Sequence, residues 1–145
     1  MYRHVLIATD GSAVGDKAIT QGLEVAKKFG SNVTIVKVTE MWSALDISGR
    51  DALSRIETYE KIAAEAARDV LAKAKATADK AGVACETLHV ADSAPADGIV
   101  ATAVSKACDL IVMGSHGRRG INKLLLGSQA QKVLAQTTKP VLIAR

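Results

Sequence analysis

Gly114-Ser115-His116-Gly117, followed nine residues later by Gly127-Ser128, has the residue types of a backbone cradle for an anion. Glycine at 114 and 117 permits positive φ, where any other residue costs about 1 to 2 kcal/mol, and lets main chain lie against a ligand. Gly127-Ser128 directly precedes a helical pattern over residues 129–135. The free N–H groups and positive dipole end of that helix are expected to face the same anion. Two loop ends then converge on one phosphate chain, which points to a nucleotide.

Charge placement agrees. The net charge of +4 is modest, but no acidic residue follows Asp109, whereas Arg118, Arg119, Lys123, Lys132, Lys139 and Arg145 all do. The half that carries the glycines is therefore basic and suits an acidic ligand. A nucleic acid is a poor fit: only Tyr2, Phe29, Trp42 and Tyr59 are aromatic, and none interleaves with the basic residues. Direct nucleic-acid binding is not expected.

The elements that must position these residues follow from hydrophobic periodicity. Apolar runs at 5–8, 33–38, 88–90, 110–113 and 141–144 read as strands, and helix-period segments lie between them. Gly30 and Gly82 stand where helices should stop, Ser93 can cap a third helix with Pro95 in its first turn, and Pro140 opens the last strand. The segment 51–81 is long for one globular helix, so it is either broken or projects beyond the sheet; residues 41–50 read as an irregular insertion. Alternating β and α predicts a doubly wound α/β fold, an open five-stranded parallel sheet with helices on both faces.

With 145 residues, 48% of them hydrophobic, the chain is the size of one domain with a substantial core. The apolar run near the N-terminus is too short for a membrane span and lacks a cleavage pattern, so a cytoplasmic protein without membrane insertion is expected. Cys85 and Cys108 lack metal-ligand spacing and read as free thiols. In such a sheet ligands bind beyond the carboxyl ends of the strands, where winding reverses. The loops opening at Thr9-Asp10-Gly11-Ser12 and at Gly114 would share that crevice if strands one and four are neighbours.

These residues together give the chain a resemblance to the universal stress protein family, in its nucleotide-binding branch. The likeness is carried by Val5-Leu6-Ile7-Ala8-Thr9-Asp10-Gly11-Ser12, by Asp109 through Gly117, by Leu126-Gly127-Ser128 and by Pro140-Val141-Leu142, and it implies one family domain over 1–145. The resemblance also implies the strand order 3-2-1-4-5. It places Ala8, Thr9 and Asp10 beside adenosine and phosphates, Val38 against adenine, and Met113 at the base pocket. Gly114, Gly117, Gly127, Ser128 and Gln129 would bind ribose and phosphates, largely through main-chain N–H groups.

Other roles stay open. Asp10 is a candidate for indirect contact with Mg2+ or for capping the first helix, a task Ser12 could also perform. His116 is a candidate for touching phosphate or for organising its loop, and Ser128 for donating to phosphate or capping its helix. Arg118 is a candidate anion contact. Gly11 and Gly15 could be turn and packing residues, and Trp42 a packing residue or a stacking one. No catalytic residue is assigned, since neither a G-x-x-x-x-G-K-[ST] loop nor a G-x-S-x-G elbow is present. Three functions remain: an ATP-binding stress-response module that addresses an unidentified protein partner, a weak ATP hydrolase or phosphotransfer enzyme, and a dimeric scaffold with vestigial nucleotide affinity. The resemblance further implies homodimers formed through the C-terminal strand.

Overall fold

The computed structural model describes residues 1–40, 49–117 and 125–145. Trp42, Arg118, Arg119 and Lys123, and most of the expected insertion at 41–50, lie outside the described residues. Among the described residues the order is β1 (His4–Ala8), α1 (Ala13–Phe29), β2 (Asn32–Val38), α2 (Ala52–Ala81), β3 (Cys85–Val90), α3 (Pro95–Ser105), β4 (Leu110–Gly114), α4 (Ser128–Gln136) and β5 (Val141–Ala144). The strands form one parallel sheet in the order β3-β2-β1-β4-β5. Strands β1 and β4 are therefore neighbours, with Ile7 opposite Val112.

Alternation along the strands builds two cores. Val5 and Ile7 of β1 join Val33 and Ile35 of β2 beneath α1 and α2, where Leu23, Ala26, Leu71 and Ala74 cover them. Leu6, Ala8, Val36 and Val38 face the other way, against Ala96, Ile99 and Ala103 of α3 and Ala130 and Val133 of α4. Burial on both faces explains why the central strands read as continuous apolar runs rather than alternating ones. Cys108 is free and fully buried in this second layer. Burial, helped by the nearby Asp109 carboxylate, pushes its thiol up to about 11, so it stays neutral and packs as a small apolar group.

Helix ends show where local chemistry won. Ser12 caps α1, its Oγ accepting from Gly15 N at 3.1 Å. Gly30 and Gly82 end α1 and α2 at φ of 66° and 71°, the left-handed stop that glycine permits. Two expectations need correction. The cap of α3 is Ala94, and the Ser93 hydroxyl instead donates to the Ala94 carbonyl at 3.1 Å. The cap of α4 is Gly127, which leaves Ser128 as the first helical residue. The third strand begins at Cys85, earlier than the expected 88–90, because pairing with β2 extends from Val33 to Val38.

Helix α2 is continuous for 30 residues, about 45 Å. Only its second half is anchored, through Ala67, Leu71, Ala74 and Ala78. Leu53 and Ile62 in the first half are 77% and 60% exposed, so the helix runs past the sheet instead of breaking. No helix among the described residues is long and apolar enough to cross a membrane.

Candidate functional site

The reversal of winding between β1 and β4 opens a cavity of about 680 Å3 at the carboxyl ends of the strands. Its wall includes Ala8, Thr9, Asp10, Val38, Met113, Gly114, His116, Gly117, Gly127, Ser128 and Gln129. The structure thus brings together every residue singled out as a binding candidate except Arg118, which lies outside the described residues.

Glycine serves this wall for a different reason from the one expected. Positive φ among the described glycines occurs at Gly11, Gly30, Gly49 and Gly82, and neither Gly114 nor Gly117 adopts it. Lack of a Cβ is what counts. A Cβ on Gly114 would lie 2.7 Å from Val14 Cγ1, so glycine lets α1 approach the end of β4. One on Gly117 would lie 2.8 Å from Asp10 Oδ2, and one on Gly127 would meet His116 Cα at 2.9 Å and the Ser115 carbonyl oxygen at 3.0 Å. Gly127 N also donates to that Ser115 oxygen at 2.6 Å. The loop after β4 and the start of α4 are fastened to each other at backbone distance.

Asp10 joins the loops from the β1 side. Its Oδ1 accepts from Ser12 N at 2.9 Å and from Ser12 Oγ at 2.5 Å, while Oδ2 lies at the Gly117 backbone. Asp10 therefore orders the turn that Ser12 caps, without capping α1 itself. Gly11, at φ 82°, makes that turn, and Gly15 packs beneath it, where a Cβ would meet Thr9 Oγ1 at 2.8 Å. His116 Nδ1 lies 3.0 Å from Ser115 Oγ, so its ring organises the loop as well as lining the cavity.

Three helices start near this rim, and their first-turn N–H groups are treated differently. In α1 the Ser12 side chain takes Gly15 N. In α3 the Gln129 side chain reaches across from α4, its Oε1 accepting from Ala96 N at 3.2 Å. Helix α4 has no side-chain cap among the described residues, and its first residues Ser128, Gln129 and Ala130 line the cavity. Orphan donors and the positive end of a helix dipole are thereby presented to whatever occupies the cavity. Gln129 lines this wall while its side chain is engaged with α3.

Part of the cavity wall is apolar, formed by Ala8, Val36, Val38, Ile99 and Met113. Gly98 sets this wall: a Cβ there would meet both Val38 Cγ atoms at 2.9 Å, so glycine lets α3 settle onto Val38. The sequence offered only a glycine within a helical pattern, and its use depends on which strand lies beneath. Lys37, Thr39, Glu40 and Tyr59 also line the cavity and were not singled out for it. Lys37 Nζ donates to the Val38 carbonyl at 3.2 Å, and Thr39 Oγ1 lies 2.7 Å from His89 Nε2. Burial, then the Lys37 charge, hold the His89 imidazole below its usual value, so it meets Thr39 as a neutral ring at neutral pH. Among the described residues no group of three His, Cys, Asp or Glu side chains could hold a metal ion.

Relatives share this architecture. Universal stress protein MJ0531 of Methanocaldococcus jannaschii is 32% identical over 145 residues, covering 100% of this chain and 83% of the relative. The structure of MJ0577 from the same organism overlays with a TM-score of 0.85 at 24% identity, covering 99% of this chain and 96% of that one, which shows the common fold. A universal stress protein solved in complex with cAMP overlays at 0.74 with 28% identity, covering 99% and 97%. The match to the Universal stress protein family runs over residues 1–145, and the chain belongs to that family.

Proposed function

We propose that this protein is a cytoplasmic ATP-binding module of the stress response, working as a homodimer whose nucleotide occupancy is read by a protein partner. The observation that carries the reading is the start of α4 facing the cavity without a side-chain cap among the described residues, when a first-turn N–H of α1 and one of α3 are each taken by a side chain. An anion would complete the α4 terminus, and Gly117 and Gly127, which line the cavity, bring no side chain between it and the main chain. The apolar part of the wall, Ala8, Val36, Val38, Ile99 and Met113, suits a purine. The cAMP complex of a relative supports the adenine class. Mg2+ would be held mainly by the phosphates, with Asp10 the protein carboxylate nearest the two loops.

The test is a thermal melt with millimolar ATP and Mg2+. At a ligand concentration 100 times Kd the folded state gains about 2.7 kcal/mol, a rise of roughly 5 to 10 °C for a chain of this size. An unchanged melting midpoint overturns the reading. For the assembly, β5 has only β4 beside it in the sheet and leaves Val141, Leu142 and Ile143 half-buried, an edge suited to pairing with its twin. Light scattering at micromolar concentration is expected to return twice the chain mass, and a monomer mass rejects the dimer.

A further inference from the structure

Right-handed crossover places the N-terminal end of each connecting helix at the carboxyl ends of the strands. The unanchored first half of α2 therefore rises beside the cavity. Tyr59 lies eight residues, about 12 Å along the axis, before the first buried anchor at Ala67. Tyr59 is 39% exposed, against 77% for Leu53 and 60% for Ile62, and lines the cavity, with its hydroxyl donating to the Glu40 carbonyl at 3.1 Å. Glu40 stands two residues past Val38, and both line the cavity. Among the described residues Tyr59 is the one Phe, Tyr or Trp on the cavity wall.

We propose that Tyr59 is a specificity-determining residue, a ring that covers the base of the bound nucleotide while its hydroxyl tether to Glu40 holds it in place. This rests on the nucleotide reading above. The tether explains how a residue on an overhanging helix keeps a fixed position, and an aromatic ring sharing a cavity wall with Ala8, Val36, Val38, Ile99 and Met113 favours a planar base. Two other uses of Tyr59 make different demands. A strut between α2 and the end of β2 needs the hydroxyl and not the ring face; a plain hydrophobic wall needs bulk and not aromaticity.

Titration calorimetry with ATP, AMP and adenosine separates them. In Tyr59→Ala and Tyr59→Leu all three ligands are expected to weaken by a similar factor, roughly 5- to 150-fold, because the ring touches the part they share. Tyr59→Phe is expected to stay within about threefold of wild type, since base stacking survives loss of the hydroxyl. The melting midpoints of the ligand-free variants report whether the fold is intact. Adenosine affinity in Tyr59→Ala equal to that of wild type overturns the assignment. Loss in Tyr59→Phe as large as in Tyr59→Ala shows a strut, and full affinity in Tyr59→Leu shows a wall; either also overturns it. Wild-type protein that binds none of the three ligands refutes the nucleotide reading itself, a different outcome from intact wild-type binding that ignores Tyr59.

Discussion

Gly127→Val is expected to lower ATP affinity by at least 100-fold while leaving adenosine within about threefold of wild type. The added side chain starts from a Cβ position 2.9 Å from His116 Cα and 3.0 Å from the Ser115 oxygen, both main-chain atoms that no rotamer change can move aside. Relief requires pulling the loop after β4 away from α4, which breaks the 2.6 Å bond from Gly127 N to Ser115 O and turns the start of α4 from the cavity. Each charge-assisted N–H contact to phosphate contributes about 1.5 to 3 kcal/mol, so losing two costs 100-fold or more. Calorimetry with ATP and adenosine measures both numbers. Equal losses for the two ligands would place the phosphates elsewhere; unchanged ATP binding would remove α4 from the site altogether.

The second large effect lies in the core. Gly22 is buried where α1 crosses β1, and a Cβ there would meet Ile7 Cδ1 at 2.6 Å and Cγ1 at 2.7 Å, with Val112 Cβ at 3.5 Å. Ile7 and Val112 are fully buried neighbours on β1 and β4 and have no space into which to retreat. Gly22→Val should therefore destabilise by about 3 kcal/mol, the upper part of the usual overpacking range, and lower the melting midpoint by roughly 10 °C. Because α1 begins at the Ser12 cap beneath Asp10, lifting it also disturbs the β1 loop, and weaker ATP binding should accompany the lost stability. Urea unfolding measures the first effect. A midpoint within error of wild type would mean that the helix can shift without strain, contrary to the packing described.

Much of the architecture was legible because its signals are local. Val5, Leu6 and Ile7 belong to a short apolar run of the length and β-branched content that a strand buried on both faces produces, and Gly30 and Gly82 mark left-handed stops that other residues resist. The spacing from Gly114 to Gly127 likewise pointed to a loop whose main chain lies against a ligand. Its reason was not legible. Gly114, Gly117 and Gly127 answer to atoms of Val14, Asp10 and His116, which become neighbours only when β1 and β4 pair. The same limit hid the diversion of the Gln129 side chain to Ala96, since sequence shows that a helix start needs a partner but not which side chain arrives.

What the sequence determined by itself was the succession of elements, the two loops that carry polar and glycine residues, and the basic character of the half that holds α4. What the tertiary structure decided was which of those groups remain available to a ligand. Periodicity and turn chemistry act over a few residues and are written along the chain. The closure of α1 by Ser12, the closure of α3 by Gln129 and the arrival of Tyr59 at the wall depend on contacts across 3, 33 and 19 residues. The longer two exist only once the sheet has set the distance between them.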